Sequence, residues 1–322
     1  MTNKPITHLY APNPGGVTDF VDVIMRQQGV LATKLAMSKN NAPVFFPEHC
    51  LLHYSGYGFA KRGAPLWLLH KLENDRAKIK TLGIFFHELY AFGMPWNSSF
   101  WLSPVQRHIA IRLAKLSDFW ITNREGSAQW LERFAGNKPH AVMPVFSNIG
   151  EMPSYSSVRA PKVVVFGGVA LRRATYQAAG ESLFVWANQQ GFELHDIGPA
   201  INDPLLAKSL NHAGVIEHGC LNAEDVSKQL ADASFGVVVY PVNYVAKSGV
   251  FAAYCAHGVC PILISKSNVE ADGLVAGHHY LTGMPDAKVN SNTTVGQKAW
   301  EWYQPHNVLS HANTLANIIE QT

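Results

Sequence analysis

Charged residues are scarce in this sequence, and they form no block of one sign. They make up 15% of the 322 positions, and the formal net charge at pH 7 is +3. Without a run of lysine and arginine there is no basic stripe of the kind that nucleic-acid-binding domains carry, so we expect no nucleic acid partner. Hydrophobic residues make up 47%, which is enough for a large core and excludes a disordered chain.

Patterns typical of metal and redox sites are missing as well. The four cysteines lack the spacing of a zinc or dithiol site: Cys50, Cys220, Cys255 and Cys260. We interpret most of the fifteen histidines as surface or hydrogen-bonded residues, and no Asp-x-Asp cluster is present to hold a metal ion. We therefore predict neither a metal nor a bound cofactor.

No stretch has the length and hydrophobicity of a membrane-spanning helix, and the N-terminal residues do not have the pattern of a signal peptide. We expect a cytoplasmic protein with reduced thiols. Peripheral contact with the inner face of the membrane is kept as an alternative. The length is enough for two domains, and the sequence predicts no particular oligomeric state.

Residues 236–262 contain the motif with the clearest chemistry. Residues 237–240 are an apolar run typical of a buried strand, which a proline ends. Lys247, Ser248 and Gly249 then open a run with helical spacing, and a second apolar strand follows. The N–H groups of a first helical turn have no internal partner and can hold a phosphate. A lysine beside the capping serine, after a buried strand, favours an anion site over an ordinary capped helix.

The first predicted strand, residues 5–10, leads into a glycine pair. Gly15 and Gly16 separate this strand from a predicted helix at residues 17–28. The three-glycine spacing of a dinucleotide fingerprint is missing. Paired glycines at this place let a ligand approach the backbone closely, and a turn that needs positive φ explains them equally well.

A His-Glu pair follows a strong strand pattern at residues 79–86. His87 and Glu88 lie directly after this run, where open α/β sheets place their chemistry. Glu88 is a candidate general base, and His87 is a candidate partner for a substrate hydroxyl. A local ion pair or the start of a helix is the alternative.

Weaker patterns complete the first half. Residues 42–46 predict a second strand, and the glycine- and tyrosine-rich residues 53–62 predict a loop. Residues 93–101 form an aromatic loop, which either caps the core or forms the lip of an acceptor site. Ser103 and Pro104 predict the start of a helix with a capping box.

The second half repeats the strand, glycine turn and helix of the first. A polar, turn-rich linker at residues 150–161 precedes a strand that ends in Gly167 and Gly168. The next helix begins with Arg172 and Arg173. Guanidinium groups match the oxygens of a phosphate, so both arginines are candidates for binding a diphosphate, with solvated helix charge as the alternative.

Strands alternate with helices in both halves, which predicts an α/β fold of two Rossmann-like domains with parallel sheets. The predicted domains are residues 1–150 and residues 151–322. We expect the last helix, at about residues 306–322, to pack back on the first domain. The two domains are expected to face each other across a cleft, which is the default ligand site.

The order of these motifs resembles that of the GT-B glycosyltransferases, in particular the retaining group of cell-surface polysaccharide enzymes (glycosyl transferases group 1). The similar features are the early glycine pair, the glycine and arginine that open the second domain, and the passage VSKQLADASFGVVVYP with the glycine-ended helix after it. The resemblance covers most of the chain. It departs from the family at Val245 and Ala253, where the family's donor loop carries two glutamates.

The resemblance implies that residues 1–150 form the acceptor-side domain and residues 151–322 the nucleotide-sugar donor domain. It also implies which residues meet the donor. For the diphosphate and sugar it implies residues from both glycine turns and from the loop after residue 239: Gly15, Gly16, Gly168, Arg172, Arg173, Tyr240, Asn243, Lys247, Ser248 and Gly249. His87, Glu88 and Lys247 are the predicted catalytic residues.

The predicted function is transfer of a sugar from a nucleotide-diphosphate donor to a glycan or lipid-linked acceptor, in cell-surface polysaccharide synthesis. The resemblance implies retention of the anomeric configuration without a metal. If the enzyme inverts instead, Glu88 is the candidate base. The alternatives are a nucleotide-sugar epimerase, which needs a second acid/base carboxylate, and a non-catalytic binding or partner subunit, which the missing glutamates suggest.

Overall fold

The computed structural model describes residues 4–13, 15–29, 32–91, 98–285 and 291–322. Its contacts divide the chain into two units. Unit 1 contains Met1–Pro144 together with Val308–Thr322, and unit 2 contains Val145–Asn307. The division falls a few residues before the predicted linker, and the last helix belongs to unit 1.

Each unit contains a sheet whose described strands all run parallel. In chain order the strands are β1 (Ile6–Tyr10), β2 (Ala32–Ala36), β3 (His49–Tyr54), β4 (Thr81–Phe86), β5 (Phe119–Thr122), β6 (His140–Val142), β7 (Ala160–Phe166), β8 (Glu193–Ile197), β9 (Ile216–Glu217), β10 (Ala233–Val239) and β11 (Cys260–Ile264). The six-stranded sheet of unit 1 has the order β2-β1-β3-β4-β5-β6, and the five-stranded sheet of unit 2 has the order β11-β10-β7-β8-β9.

Helices fill the connections, which confirms the predicted α/β fold with two parallel sheets. In chain order they are α1 (Gly16–Gln28), α2 (Gly56–Phe59), α3 (Leu66–Asp75), α4 (Ser98–Leu116), α5 (Glu125–Ala135), α6 (Val169–Ala179), α7 (Glu181–Gln190), α8 (Pro204–His212), α9 (Ala223–Ala231), α10 (Gly249–Ala256), α11 (Ser291–Tyr303) and α12 (Val308–Glu320). Short 3-10 turns occur at Arg76–Lys78, Val242–Lys247 and Gln304–His306. Among the helices in the described ranges, none is long and apolar enough to cross a membrane.

The sheet of unit 1 is covered on both faces. On one face, Leu52 of β3 and Ile84 of β4 belong to an apolar core that includes Leu113 of α4. On the other face, the ring of Phe20 from α1 meets the ring of Phe85 at 5.1 Å between centroids, and α12 packs on α1. Because side chains alternate along a strand, the neighbours Ile84 and Phe85 serve opposite faces.

In unit 2, one buried tyrosine attaches α10 to the middle of the sheet. The side chain of Tyr254 is fully buried. Its hydroxyl lies 3.0 Å from the carbonyl oxygen of Val164 in β7 and 3.2 Å from that of Val237 in β10. These bonds place α10 across two neighbouring strands.

Two predictions for the region between β1 and α3 are wrong. The second strand is β2 rather than residues 42–46, which form no strand and leave Val44 and Phe45 exposed. Pro43 lies inside that run and Pro47 follows it, and a proline cannot donate to a strand ladder. The true β2 lies at the sheet edge with a half-exposed sequence, so its apolar pattern is weak. Residues 53–62, predicted as a loop, contain the end of β3 and then α2.

The predicted start of the helix at Ser103 is also wrong. Helix α4 begins at Ser98 and contains Pro104 in its interior. Gln106, which would complete a capping box, instead accepts a hydrogen bond from the N–H of Ala91 at 2.7 Å. Its amide nitrogen donates to the carbonyl of Arg62 at 3.1 Å. A local sequence pattern was therefore overridden by contacts with two distant loops.

Candidate functional site

Unit 2 contains a switch in strand order next to the predicted diphosphate residues. From β7 the chain continues to β8 and β9 on one side, whereas β10 and β11 lie on the other side of β7. In open parallel sheets, ligands bind outside the carboxyl ends of the strands at such a point. The two strands at the switch are β7 and β10. The segment after β7 contains Gly167 and Gly168, and the segment after β10 runs from Tyr240 to Gly249.

The two segments are in contact at this switch point. A β-carbon placed on Gly167 would lie 3.1 Å from Cγ2 of Val250, in the first turn of α10. The N–H of Val239, at the end of β10, donates to the hydroxyl of Thr175 in α6 at 3.1 Å. The structure therefore brings together the beginnings of α6 and α10, which the sequence separates widely.

The start of α10 has the predicted serine cap. The hydroxyl of Ser248 accepts a hydrogen bond from the N–H of Phe251 at 3.2 Å, and Ser248 is buried. Lys247 and Gly249 are half-buried on either side of it. Oδ1 of Asn148 lies 4.0 Å from a β-carbon placed on Gly249, so Asn148 is a neighbour of this helix start that sequence reasoning missed.

The start of α6 is a second helix terminus at the same edge. Its N-cap is Gly168, which brings no side chain to the first-turn N–H groups. No atom of the described residues lies within 4 Å of a β-carbon placed on Gly168. Two helix termini with positive ends at one edge of a sheet are suited to an anion.

The two predicted arginines have different environments. Arg172 is only 1% exposed. Its Nε donates to the carbonyl of Gly167 at 2.9 Å, and its other nitrogens donate to the carboxylate of Asp196 and the carbonyl of Pro199. Arg173 is half-exposed, and its Nη2 donates to the carbonyl of Asn202 at 3.1 Å. Arg172 thus holds the glycine turn in place, whereas the guanidinium of Arg173 is partly accessible to solvent.

Sequence reasoning also missed the support beneath this turn. The hydroxyl of Tyr176 donates to Asp196 at 2.9 Å, completing the buried network around Arg172. Gly198 has a φ of 148°, and a β-carbon there would overlap the carbonyl oxygen of Gly167. The sequence signal was present as the dipeptide Gly198-Pro199 after β8, but only the fold shows what it touches.

In unit 1, the glycine pair forms the turn into α1. Gly15 has a φ of 152°, a conformation that L side chains rarely adopt. No described atom lies within 4 Å of a β-carbon placed on Gly15 or Gly16. Asn13 donates to the carbonyl of Gly58 at 2.8 Å, so this turn is held beside α2. The φ angle explains why position 15 is a glycine. Both Gly15 and Gly16 have open space beside them among the described residues.

His87 and Glu88 follow β4 in the order that was predicted, but they differ in exposure. His87 is buried, and its backbone N–H donates to the carbonyl of Tyr54 at 3.0 Å. Glu88 is exposed, and its carboxylate accepts a hydrogen bond from the hydroxyl of Ser55 at 2.9 Å. Both therefore lie at the carboxyl edge of the sheet, beside the end of β3.

The remaining predicted positions of the donor site differ in how exposed they are. Tyr240 is half-buried and Asn243 is exposed. Val245 and Ala253, where the resemblance leads to glutamates, are fully buried apolar residues. Within the described ranges, no group of three or more His, Cys, Asp or Glu side chains could hold a metal ion.

The aromatic segment was predicted as one loop over residues 93–101. Trp96 and its neighbours at 92–97 lie outside the described residues. Phe100 and Trp101 lie in α4, with ring centroids 5.4 Å apart, and Trp101 is 70% exposed. The final part of this segment is therefore helical rather than a loop.

Known proteins share this fold, although sequence comparison finds no relative. No protein family model matches the chain, and no curated protein matches it. The chain is similar to a solved structure described as a putative UDP-N-acetylglucosamine 2-epimerase from Listeria monocytogenes. The identity is 12%, the TM-score is 0.59, and the match covers 99% of this chain and 98% of that one.

Two solved glycosyltransferase structures are also similar. One is AviGT4, a glycosyltransferase involved in Avilamycin A biosynthesis, with 11% identity, a TM-score of 0.55 and coverage of 98% and 97%. The other is an alpha-glucosyltransferase in complex with UDP-glucose and DNA containing an abasic site, with 10% identity, a TM-score of 0.55 and coverage of 98% of each chain. These similarities confirm that the chain has a GT-B glycosyltransferase-like fold.

Proposed function

We propose that this protein is a glycosyltransferase that moves a sugar from a nucleotide-diphosphate donor to a hydroxyl of a glycan or lipid-linked acceptor. The observation that carries the proposal is the switch in strand order of the unit 2 sheet. There the glycine turn before α6 meets the capped start of α10, with Lys247 beside it. An anionic ligand at the carboxyl edge of a parallel sheet is the natural occupant.

The proposed donor site divides its tasks between the two arginines. Arg173, Lys247 and the N–H groups at the starts of α6 and α10 contact the diphosphate and stabilise the charge that develops as it leaves. Such preorganised groups are the largest catalytic contribution available to this chemistry. Arg172 shapes the glycine turn from below through its bond to Gly167. Ser248, Gly249, Tyr240 and Asn243 complete the donor side in this proposal.

In unit 1, the proposal gives roles to residues at the carboxyl edge of its sheet. We assign His87 to a hydroxyl of the donor or acceptor and Glu88 to a proton transfer in the alternative inverting reaction. Gly15 and Gly16 let the ligand approach the turn before α1. Retention of configuration, independence of a metal, a cytoplasmic location and a role in polysaccharide synthesis belong to the same proposal.

The first experiment measures thermal stability with a panel of nucleoside diphosphates. A ligand present at a hundred times its dissociation constant stabilises the protein by roughly 2.7 kcal/mol, which raises the melting temperature by several degrees. Stabilisation by one base identifies the donor nucleotide. Incubating the matching nucleotide sugars with candidate acceptors then tests for acceptor-dependent release of the nucleoside diphosphate, which is the signature of transfer.

The site itself is tested by Lys247→Ala. Loss of a charge-assisted contact predicts roughly tenfold weaker binding of the diphosphate or more. Lys266→Ala is the matched control, because it removes the same charge from an exposed position of unit 2 and should leave the affinity unchanged. Equal affinity of the Lys247→Ala variant and the native protein would contradict the assignment.

An epimerase acting on a nucleotide sugar is the second candidate, favoured by the fold shared with the putative epimerase and by the exposed carboxylate of Glu88. It predicts a product changed at one carbon and no need for an acceptor. The buried Val245 and Ala253 favour a non-catalytic binding subunit, which predicts nucleotide binding without turnover.

A further inference from the structure

A line of histidines crosses one face of the unit 1 sheet. His8 lies on β1, His53 on β3 and His87 directly after β4, and these strands are neighbours in the sheet. The register pairs His8 with Leu51 and His53 with Phe85. Each histidine is therefore two residues nearer the carboxyl edge than the histidine before it. Side chains two residues apart on a strand share a face, so the rings form one diagonal row.

Hydrogen bonds join this row from end to end. Oε1 of Gln28, the last residue of α1, lies 2.7 Å from Nε2 of His8. Nδ1 of His8 lies 2.8 Å from Nε2 of His53, and Nδ1 of His53 lies 3.0 Å from Nε2 of His87. The rings are nearly parallel, with planes 22° and 25° apart. Phe20 packs against His53 and His87 at 5.7 and 5.1 Å between centroids, which shields the row.

The chemistry of the rings gives the row a direction. A neutral imidazole has one nitrogen that donates and one that accepts. Burial lowers the pKa of His8 to about 4 and, with His8 and His87 adding to the effect, lowers the pKa of His53 well below its usual value. Both rings are therefore neutral at pH 7. A ring that donates a hydrogen bond from one nitrogen must then accept one at its other nitrogen.

The amide oxygen of Gln28 sets that direction. It can only accept, so Nε2 of His8 carries the proton and Nδ1 accepts. Nε2 of His53 must then donate to His8, and Nδ1 of His53 accepts in turn. We propose that Gln28, His8 and His53 are positioning residues that hold His87 in its Nε2–H tautomer, so that Nδ1 of His87 is a hydrogen-bond acceptor.

The inference uses the same His87 as the proposed function, and it rests on that function only for the group that Nδ1 meets. An accepting nitrogen suits the hydroxyl of a sugar, which donates. It does not suit an anionic oxygen, which cannot donate. Gln28, His8 and His53 thus select among ligand groups at the edge of β4 without touching the ligand themselves.

The tautomer is measured by long-range ¹H–¹⁵N NMR of the full-length protein labelled with ¹⁵N-histidine, at pH 8 and without ligand. Comparison with the His87→Asn variant identifies the signals of His87. We expect a protonated Nε2 and an unprotonated Nδ1. A protonated Nδ1 in the native protein would overturn the proposal.

Variants of Gln28 test whether the direction is passed along the row. Gln28 is only half-buried, so the changes do not place a charge in the core. Gln28→Glu keeps an acceptor and should keep the Nε2–H tautomer of His87. Gln28→Lys supplies a donor, which should reverse each bond and move the proton of His87 to Nδ1. An Nε2–H tautomer of His87 that survives in the Gln28→Lys variant would show that the row does not control it.

A control removes another bond between histidines. Nδ1 of His195 lies 2.8 Å from Nε2 of His218 in unit 2, and His218→Asn should leave the signals of His87 unchanged. If transfer activity is found, Gln28→Lys should lower kcat/KM by roughly tenfold, the effect of one mismatched hydrogen bond. Because the spectra need no substrate, failure of the proposed function and failure of this inference are distinguishable.

Discussion

Replacing Arg172 with methionine should destabilise unit 2 rather than only weaken ligand binding. The guanidinium is 1% exposed and is the charged partner of Asp196, which is also buried. Methionine fills a similar length of apolar space, but it leaves the carboxylate without its cation. Removing one member of a buried ion pair costs about 3–5 kcal/mol because the remaining charge stays buried.

The loss of stability converts into a large change in melting temperature. For a domain of the size of unit 2, a loss of 1 kcal/mol in unfolding free energy lowers the melting temperature by about 2–4 °C. The Arg172→Met variant should therefore melt about 6–20 °C below the native protein in a calorimetric or circular dichroism scan. If that variant does not accumulate as folded protein, Arg172→Lys can be measured instead. It keeps the positive charge but not the forked guanidinium, so its melting temperature should fall by a smaller amount.

Arg173→Met is the matched comparison, since it removes the same group from the adjacent position. Arg173 is half-exposed and lies 3.8 Å from Asp203, and pairs of this kind contribute about 0–1 kcal/mol. Its melting temperature should stay within about 4 °C of the native value, while calorimetric titration should show roughly tenfold weaker diphosphate binding. The opposite pattern, in which Arg172→Met melts normally and loses the nucleotide, would refute the division of roles.

Three further predictions concern the same elements. Gly198→Ala should destabilise the protein by more than about 1 kcal/mol in urea unfolding, because the new β-carbon meets the carbonyl of Gly167. Gly214→Ala, with a φ of 68° and no described atom within 4 Å of the new carbon, should cost less, and equal losses would contradict the steric argument. Ser248→Ala should cost about 1 kcal/mol through the lost cap, and Ser248→Thr should restore most of it. Folded His8 binds its proton near pH 4 and unfolded His8 near pH 6.5, so the unfolded state binds more protons between these values. Unfolding free energy should therefore fall as the pH is lowered through this window, by about 2 kcal/mol from His8 at pH 5, and His8→Asn should flatten the dependence.

Much of the architecture could be predicted from local sequence. The alternation of apolar runs with helical spacing determines β1, β4, β7, β10 and most of the helices, because each pattern is set by neighbours in the chain. The cap of α10 at Ser248 was found for the same reason. The edge strand β2 was missed because a half-exposed strand leaves only a weak apolar signal, and α4 was misplaced because Gln106 bonds to distant backbone.

The candidate site was only partly visible in the sequence. Gly168, Arg172, Arg173 and Lys247 were proposed as site residues from residue type and position, but the two arginines were indistinguishable because burial is not a local property. The structure distinguishes them, because Arg172 is buried against Asp196 whereas Arg173 is partly exposed to solvent.

The row of histidines was absent from the sequence interpretation altogether. His8 and His53 are 45 positions apart, and His53 and His87 are 34 apart, and no spacing rule connects them. The chain by itself determined the two parallel α/β sheets and the glycine turns, since periodicity and backbone preference act over a few residues. Only the tertiary structure decided which arginine is buried and which histidines meet, because strand register and burial are set by residues far apart in sequence.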